Sequence, residues 1–400
     1  MLTKSDISFI QPSRDNLKYL KWSYESIRKN GGPEPHICVA DDYSSDGTWE
    51  WCQEIMKKDK NFTAIRNDGP TRLGHTILYD RLINEVAATK VVGIYHADMY
   101  LCPGALESLL KNLKPKTVVS LTRIEPPLHP DGPEKILWDG KTEPEDFLEE
   151  ELLIEIPKFT NKDKITKGIF APWFLYKEDF TSIGGHDPLY APQSKEDSDI
   201  FNRFLLNGYD LIQVWDGFVY HMTCRGSRFN PTLTEVGKES DEWLKQNQRS
   251  TRNFIRKWGH FVKHDKFMLP EVPHKYDIQF TVNNCNSQIL NILEPWCDKI
   301  VTDLPKDIID SYIKLEQPNT AFDLTKRIHS IRVGDSTTNL ESDIEISFDA
   351  SRLSNQSFTY IQKWAEIFDS NEIEIGEFEL DIFNIKVNKI KYYENELIKL

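Results

Sequence analysis

The segment GIYHADMY, residues 93–100, places His96 and Asp98 directly after a run of apolar and small residues. The run begins at Lys90 and predicts a buried strand that ends on an imidazole and a carboxylate. Two interpretations are open at this point. Either the strand end is polar by chance, or it carries a metal or phosphate site at the carboxyl edge of a sheet.

Strands and helices alternate around this segment over the first 125 residues. We predict strands over 7–13, 36–42, 62–68, 90–98 and 117–124, and helices over 15–29, 46–58, 75–88 and 103–113. Because the strands are almost wholly apolar, this α/β pattern predicts a parallel sheet with helices on both faces. Ligands of such sheets bind beyond the carboxyl ends of the strands, and polar residues gather at four of these ends. The sequence therefore favours a site.

The later part of the chain is less regular. Residues 131–167 are acidic, rich in lysine and poor in strand pattern, which predicts an insertion or lid-like loop; a solvated surface excursion is the plainer alternative. An amphipathic helix is expected over 235–258. The strand–helix pattern restarts near Pro270, so we expect a first domain over 1–265 and a smaller C-terminal α+β domain over 270–400. We find no chemistry-bearing constellation in the second domain.

Composition excludes several classes of function. The 49 basic and 63 acidic residues give a net charge of −14, which disfavours nucleic acid as a partner. No apolar run approaches the ~18 residues that a transmembrane helix needs, and the N-terminus has no apolar signal region. The six cysteines form no CxxC pair, so we expect reduced thiols and a cytoplasmic location.

Glycine-rich phosphate cradles are missing from the sequence. No GxGxxG follows the first predicted strand, and no GxxxxGK[ST] occurs anywhere. A bound diphosphate would then need another source of positive charge. A divalent metal held by carboxylate or imidazole ligands is the usual alternative.

Three motifs together resemble those of family 2 glycosyltransferases. VADDYSSDGT (39–48) is similar to their DDxSxDGT segment, GIYHADMYLCPGAL (93–106) to their DxD region, and IGGHDPLY (183–190) with KEDSDIFNRFLLNGYDL (195–211) to their GGfDe and ED stretch. The resemblance covers about residues 6–228. It implies a GT-A fold, which is a Rossmann-like mixed sheet flanked by helices. It also implies a metal-dependent, inverting transfer of a sugar from a nucleotide-sugar, with a UDP-sugar favoured, to an acceptor hydroxyl.

The resemblance assigns the nucleotide site to two turns and a loop, namely Pro12 and Ser13, Asp41 and Asp42, and Arg72 beside Gly74. Asp42 matches the carboxylate that accepts a hydrogen bond from uracil. Helix capping is the alternative role for the aspartate pair, although Asp46 is better placed for it. For Arg72, the alternative is a solvated loop residue.

The same resemblance assigns the metal site to Asp98, which matches the last aspartate of DxD, and to His221. His96 replaces the first aspartate. Since imidazole suits Mn²⁺ better than Mg²⁺, we expect manganese to be favoured. For His96, metal ligation, a sugar contact and strand capping stay open; for His221, a core role is the alternative. Arg225 and Arg228 match residues that meet the diphosphate.

Glu196 and Asp197 match the acidic pair from which the family draws its general base. We favour Asp197 as the base, which would contribute ~10²–10⁴ to the rate. The plainer alternative is that both carboxylates only stabilise a helix N-terminus.

Two further functions are alternatives to a glycosyltransferase. A non-catalytic nucleotide-sugar or glycan binding protein with a degenerate DxD site is the main alternative. A nucleotidyltransferase is disfavoured because no basic, glycine-rich loop follows the first strand. For a transferase, we expect a glycan, lipid-linked or protein acceptor, and oligomer contacts through the C-terminal domain.

Overall fold

The computed structural model describes residues 2–223, 239–331, 341–370 and 373–390. The chain divides into two compact units. The first comprises residues 1–246 and 264–271, and the second comprises residues 247–263 and 272–400.

The first unit is built on a ten-stranded mixed sheet. Its strands are β1 (Ile7–Ser13), β2 (His36–Asp41), β3 (Phe62–Arg66), β4 (Val91–Ile94), β5 (Met99–Leu101), β6 (Thr117–Glu125), β7 (Lys135–Leu137), β8 (Ile165–Lys167), β9 (Trp173–Tyr176) and β10 (Asp210–His221). The order across the sheet is β3-β2-β1-β4-β9-β6-β10-β5, with β7 beside β6 and β8 beside β10. The first four of these strands are parallel, whereas β9 and β5 run antiparallel to their neighbours. The mixed sheet of the predicted fold class is thus confirmed.

Helices connect and flank these strands. They are α1 (Leu17–Ser26), α2 (Thr48–Lys58), α3 (Gly74–Arg81), α4 (Ala105–Asn112), α5 (Glu149–Phe159), α6 (Lys177–Ser182) and α7 (Glu196–Leu206). A longer helix, α8 (Asp241–Trp258), follows in the chain. The residues of α8 fall in the ranges of both units. Among the described residues, none of the helices combines the length and the apolar character that a membrane span requires.

Aromatic side chains pack against one another at the centre of the sheet. Phe9 meets the ring of Tyr95 at 5.0 Å and that of Phe174 at 5.6 Å, both edge to face. A Cβ atom at Gly93 would lie 2.0 Å from the ring of Phe174. The glycine in the GIYHADMY segment therefore lets β9 pack flat against β4, and this fixes the strand end that carries His96.

Residues 131–167 differ from the loop that the sequence predicted. The segment forms β7, α5 and β8, and its apolar residues join a separate core cluster with Tyr19, Tyr100 and Tyr220. Leu152, Ile156 and Phe159 recur on one face of α5, but acidic neighbours and Pro157 obscure this spacing in the sequence. The segment is an integral part of the first unit.

The second unit contains a smaller sheet, as expected. Its strands are β11 (Ile278–Asn283), β12 (Lys299–Thr302), β13 (Ile328–Ser330), β14 (Ile344–Asp349), β15 (Gly376–Leu380) and β16 (Phe383–Val387), and its helices are α9 (Ser287–Leu293), α10 (Lys306–Glu316), α11 (Asn355–Gln362) and α12 (Trp364–Ser370). The order is β13-β12-β11-β14-β16-β15. The first four strands are parallel, and an antiparallel hairpin completes one edge.

Candidate active site

The three predicted metal ligands meet beyond the carboxyl end of β4. One ligand atom from each of His96, Asp98 and His221 lies within 4.8 Å of the others. Asp98 Oδ1 is 3.5 Å from His221 Nε2, and the two imidazole centroids are 5.6 Å apart. Asp98 and His221 are buried, while His96 is half-buried.

Strand pairing explains why these distant residues meet. His96 and Asp98 lie between β4 and β5, and His221 is the last residue of β10. β5 runs antiparallel to β10 with Met99 opposite His221, and the amide of Met222 donates to the carbonyl of Asp98 over 3.1 Å. The backbone ladder therefore fixes the separation of the ligands.

A fourth residue, Glu125, belongs to this cluster and was not predicted. It ends β6, and its Oε1 lies 3.0 Å from His221 Nδ1. Its carboxylate also pairs with Arg123 at 2.8 Å and with Lys135 at 3.4 Å. The sequence held a signal, because this polar residue immediately follows the predicted strand 117–124, as at the other strand ends.

His221 and His96 differ in their pKa values and therefore in their protonation. Burial lowers the pKa of His221, but the Asp98 and Glu125 carboxylates outweigh it and raise the pKa to about 9. Burial, together with the charge of His221, lowers the pKa of His96 to about 4. Burial raises the pKa of Asp98, yet His221 and His96 bring it below its usual range. Without a metal, the site thus holds a neutral His96 and an Asp98–imidazolium pair.

This donor set fits a divalent transition metal. Two imidazole nitrogens and one carboxylate oxygen suit manganese, iron, cobalt or zinc, whereas Mg²⁺ prefers oxygen ligands throughout. Metal-bound histidines usually donate their other ring nitrogen to a carboxylate or carbonyl, and Glu125 already faces that nitrogen of His221.

The predicted nucleotide residues lie at the neighbouring ends of β1 and β2. Ser13 pairs with Asp41, and its carbonyl accepts from the amide of Asp42 over 2.9 Å. The buried Ser13 Oγ has no hydrogen-bond partner within the part of the chain that the structure describes. Burial raises the pKa of Asp41, whose Oδ1 accepts from the Ser44 amide over 3.0 Å. Pro12 precedes Ser13 on β1, so both predicted turn residues belong to this edge.

Asp42 organises the loop that follows β3. Its Oδ1 accepts from Leu73 N over 3.0 Å and from Asn67 Nδ2 over 2.7 Å, and its Oδ2 accepts from Gly74 N over 2.8 Å. A carboxylate has about four acceptor positions, so the loop takes up three of them. Arg72 lies beside this carboxylate, with Nε 3.8 Å from Oδ2.

Gly74 and Arg72 tie this loop to the segment before α7. Gly74 has a φ of +78°, and a Cβ atom there would lie 2.1 Å from the carbonyl oxygen of Pro192. Arg72 donates to Gln193 Oε1 over 2.7 Å. Only glycine fits at position 74, since both the left-handed backbone and the close approach exclude a side chain.

The predicted acidic pair opens α7. Glu196 Oε1 is 2.7 Å from His75 Nε2, whereas Glu196 Oε2 and Asp197 Oδ1 are buried with no hydrogen-bond partner among the described residues. Burial and the neighbouring Glu196 charge raise the pKa of Asp197. Burial raises the pKa of Glu196 as well, but His75 more than offsets this and lowers it. His75 thus balances one carboxylate, and the other is left with higher proton affinity.

A buried network holds α7 in place. Arg203 pairs with Asp199 over 2.8 Å and donates to the carbonyls of Ile183 and Gly185 in the GG turn. Trp173 packs edge to face against Phe201 one turn below Asp197. Asp199, Phe201 and Arg203, which follow the acidic pair in the ED stretch, therefore orient α7.

Other residues of this region escaped the sequence analysis. His75 directly follows Gly74, and His186 lies inside IGGHDPLY, so each stood beside a motif without matching it. His186 Nδ1 is 2.7 Å from Asp80 Oδ1, and its ring lies 5.5 Å from that of Tyr79. The predicted Arg225 and Arg228 lie outside the described residues.

Comparison with known proteins finds a family model that matches part of the first unit. Residues 8–168 match the family model described as Glycosyl transferase family 2, which confirms the family predicted from the motifs. No curated protein matches the sequence.

Solved structures give low overall similarity. GalNAc-T7 with UDP, GalNAc and Mn²⁺ matches at 14% identity and a TM-score of 0.45, over 63% of this chain and 48% of that chain. The mannosyltransferase PcManGT from Pyrobaculum calidifontis, in complex with GDP-Man and Mn²⁺, matches at 15% identity and 0.40, over 61% of each chain. S. aureus TarS 1-349 matches at 13% identity and 0.39, over 62% and 74%. The match thus spans about half of the GalNAc-T7 chain.

Proposed function

Because residues 8–168 match the model of Glycosyl transferase family 2, we propose that this chain is a glycosyltransferase and moves a sugar from a UDP-sugar to an acceptor hydroxyl with inversion. The proposed reaction uses a divalent metal held by His96, Asp98 and His221, with Asp197 as the general base.

The observation that carries the proposal is the convergence of His96, Asp98 and His221 near the acidic pair. Burial raises the pKa of Tyr79 well above its usual value, and the charges of Asp197, Glu196 and Asp98 add to this effect. Asp98 and the acidic pair therefore act on the same buried ring. A cation site beside an unsatisfied carboxylate is what a transfer from a diphosphate to a hydroxyl needs.

The metal site and Asp197 have separate roles in the proposed reaction. A bound metal would act as a Lewis acid on the departing diphosphate. Asp197 takes the proton of the acceptor hydroxyl as that oxygen attacks the anomeric carbon, and its raised pKa brings it closer to the operating pH. A single displacement assisted by one carboxylate inverts the anomeric configuration.

The choice of donor and metal rests on three local features. Asp42 has one acceptor position left after its three loop contacts, enough for the N3–H donor of a uracil ring. Ser13 Oγ, which has no hydrogen-bond partner among the residues that the structure describes, lies at the adjacent strand end. At the metal, the two imidazoles favour Mn²⁺ over Mg²⁺.

The remaining expectations stay proposals. The acceptor is a glycan, a lipid-linked sugar or a protein, and the second unit contributes acceptor or oligomer contacts rather than catalysis. The predicted domain limits of 1–265 and 270–400 and the cytoplasmic location stay predictions.

Release of the nucleoside diphosphate from a panel of UDP-, GDP- and CDP-sugars, with Mn²⁺ and with excess chelator, tests the proposal. We expect turnover with at least one UDP-sugar and Mn²⁺, and none in chelator. Turnover that is unchanged in chelator would refute the metal role. Turnover only with GDP- or CDP-sugars would refute the donor assignment.

A further inference from the structure

We propose that Glu125 is a positioning residue of the metal site, which fixes the tautomer and orientation of His221 and is itself held by Lys135 from the 131–167 segment. This inference rests on the proposed metal site and adds to it a residue that no motif assigns.

The geometry of the imidazole carries the first step. His221 Nδ1 is 3.0 Å from Glu125 Oε1, and His221 Nε2 is 3.5 Å from Asp98 Oδ1. A carboxylate can only accept, so Glu125 requires a proton on Nδ1. In the neutral ring, the lone pair is then on Nε2, on the side of Asp98 and His96. Glu125 thus selects the tautomer that can ligate.

Two buried cations hold the carboxylate of Glu125 in one orientation. Arg123 Nη1 is 2.8 Å from its Oε1, and Lys135 Nζ is 3.4 Å from its Oε2. All three side chains are buried, and the Arg123 guanidinium lies 3.8 Å over the ring of Phe170. A buried carboxylate between two cations keeps its charge and its direction.

The third step connects the inserted segment to the metal site. Lys135 lies on β7, where Leu137 pairs with Glu125 in a parallel ladder. The carbonyl of Glu134 accepts from Gln213 Nε2 over 2.9 Å, which anchors the start of β7 to β10. The segment therefore acts on the metal site through Lys135, Glu125 and His221 in turn.

Loss of such a partner typically weakens metal affinity by about 10–100-fold. Glu125→Gln keeps the size but removes the charge, and its amide can either accept from Nδ1–H or donate to Nδ1. The tautomer is then no longer fixed. Glu125→Ala removes the contact but leaves two buried cations without their carboxylate, so its fold has to be checked by the melting temperature.

Glu134→Gln is the matched control. Glu134 lies 3.7 Å from Arg123 in the same network, but no contact joins it to His221. It therefore reports the effect of disturbing the network without touching the ligand.

The experiment measures Mn²⁺ binding to the full chain by electron paramagnetic resonance at pH 9 under argon. With the pKa of His221 at about 9, proton competition there changes the wild-type affinity by no more than about twofold. The tautomer of His221 is read separately, from its ring ¹⁵N shifts in the metal-free protein at a pH above the pKa of His221, where the ring is neutral.

We expect Glu125→Gln to weaken Mn²⁺ binding about 10–100-fold and to mix the two tautomers, while Glu134→Gln leaves both readouts near wild type. Unchanged affinity and tautomer in a folded Glu125→Gln protein would overturn the inference, as would an equal loss in Glu134→Gln. If the wild type binds no Mn²⁺, the metal assignment of the proposed function fails. The tautomer of His221 then still tests the positioning role of Glu125. An unchanged Nδ1–H form in Glu125→Gln would overturn that role.

Discussion

Mn²⁺ and a proton should compete for the same atom, His221 Nε2, so raising the pH should tighten metal binding. The Asp98 and Glu125 carboxylates, opposed by burial, raise the pKa of His221 to about 9. At pH 7 only about 1% of such a group is deprotonated, against about half at pH 9. A metal that needs the free nitrogen should bind about 50-fold more tightly at pH 9 than at pH 7, or about 2.3 kcal/mol.

The assay is a Mn²⁺ titration of the metal-free chain at pH 7, 8 and 9. Calorimetry in buffers of different ionisation enthalpy should show nearly one proton released per metal ion at pH 7. Glu125→Gln removes one of the charges that raise the pKa, so its affinity should change less with pH. An affinity that is flat between pH 7 and 9, with no proton release, would refute the ligand role of His221 or its protonation.

Three further outcomes are expected. Asp197→Asn should keep UDP binding, read by thermal shift, and lose ~10²–10⁴ in sugar transfer, read by UDP release; if only Glu196→Gln is inactive, the base is the other carboxylate. Asp42→Ala should remove most of the UDP-induced rise in melting temperature, and a normal rise would exclude Asp42 from the nucleotide site. Burial opposes ionisation of Glu294, but Arg256 and neighbouring arginines lower its pKa to about 2. This depressed pKa stabilises the fold above the unfolded value of about 4.5, and the stability is lost as the pH falls towards 2. Glu294→Gln should therefore cost ~3–5 kcal/mol in urea unfolding at pH 7, and a loss no larger at pH 7 than at pH 3 would contradict this.

The sequence predicted the first sheet well because its local signals are strong. Strands such as β1 and β4 are continuous apolar runs, and each is followed by a turn and an amphipathic helix. The antiparallel place of β9 between β4 and β6 could not be predicted, since pairing over such sequence distances is set by tertiary packing, here of Phe174 against Gly93. The helix α5 was missed because its apolar residues are few and interrupted by Pro157.

The site was predictable where a motif places a residue at a strand end. His96, Asp98 and His221 were predicted as ligands in this way. The structure brings them together, and their binding of a metal stays a prediction. Glu125 and His75 were not found, because their contribution depends on which residue faces them across the fold. A carboxylate at the end of β6 becomes informative only when His221 Nδ1 is known to lie 3.0 Å from it.

The exchange of the first DxD aspartate for His96 changes the charge that the site can present. With two neutral imidazoles and the single carboxylate of Asp98, a divalent ion leaves a net charge of about +1, whereas a second carboxylate would cancel it. Because burial and His221 lower the pKa of His96 to about 4, the imidazole is neutral at pH 7 and available as a ligand. The exchange should weaken the attraction of the empty site for a cation and strengthen the attraction of the loaded site for a diphosphate. His96→Asp therefore should bind Mn²⁺ more tightly without nucleotide, gain less affinity for the metal when UDP is added, and accept Mg²⁺ more readily. Equal enhancement of Mn²⁺ binding by UDP in both proteins, measured by the same titration, would show that His96 does not set the charge of the site.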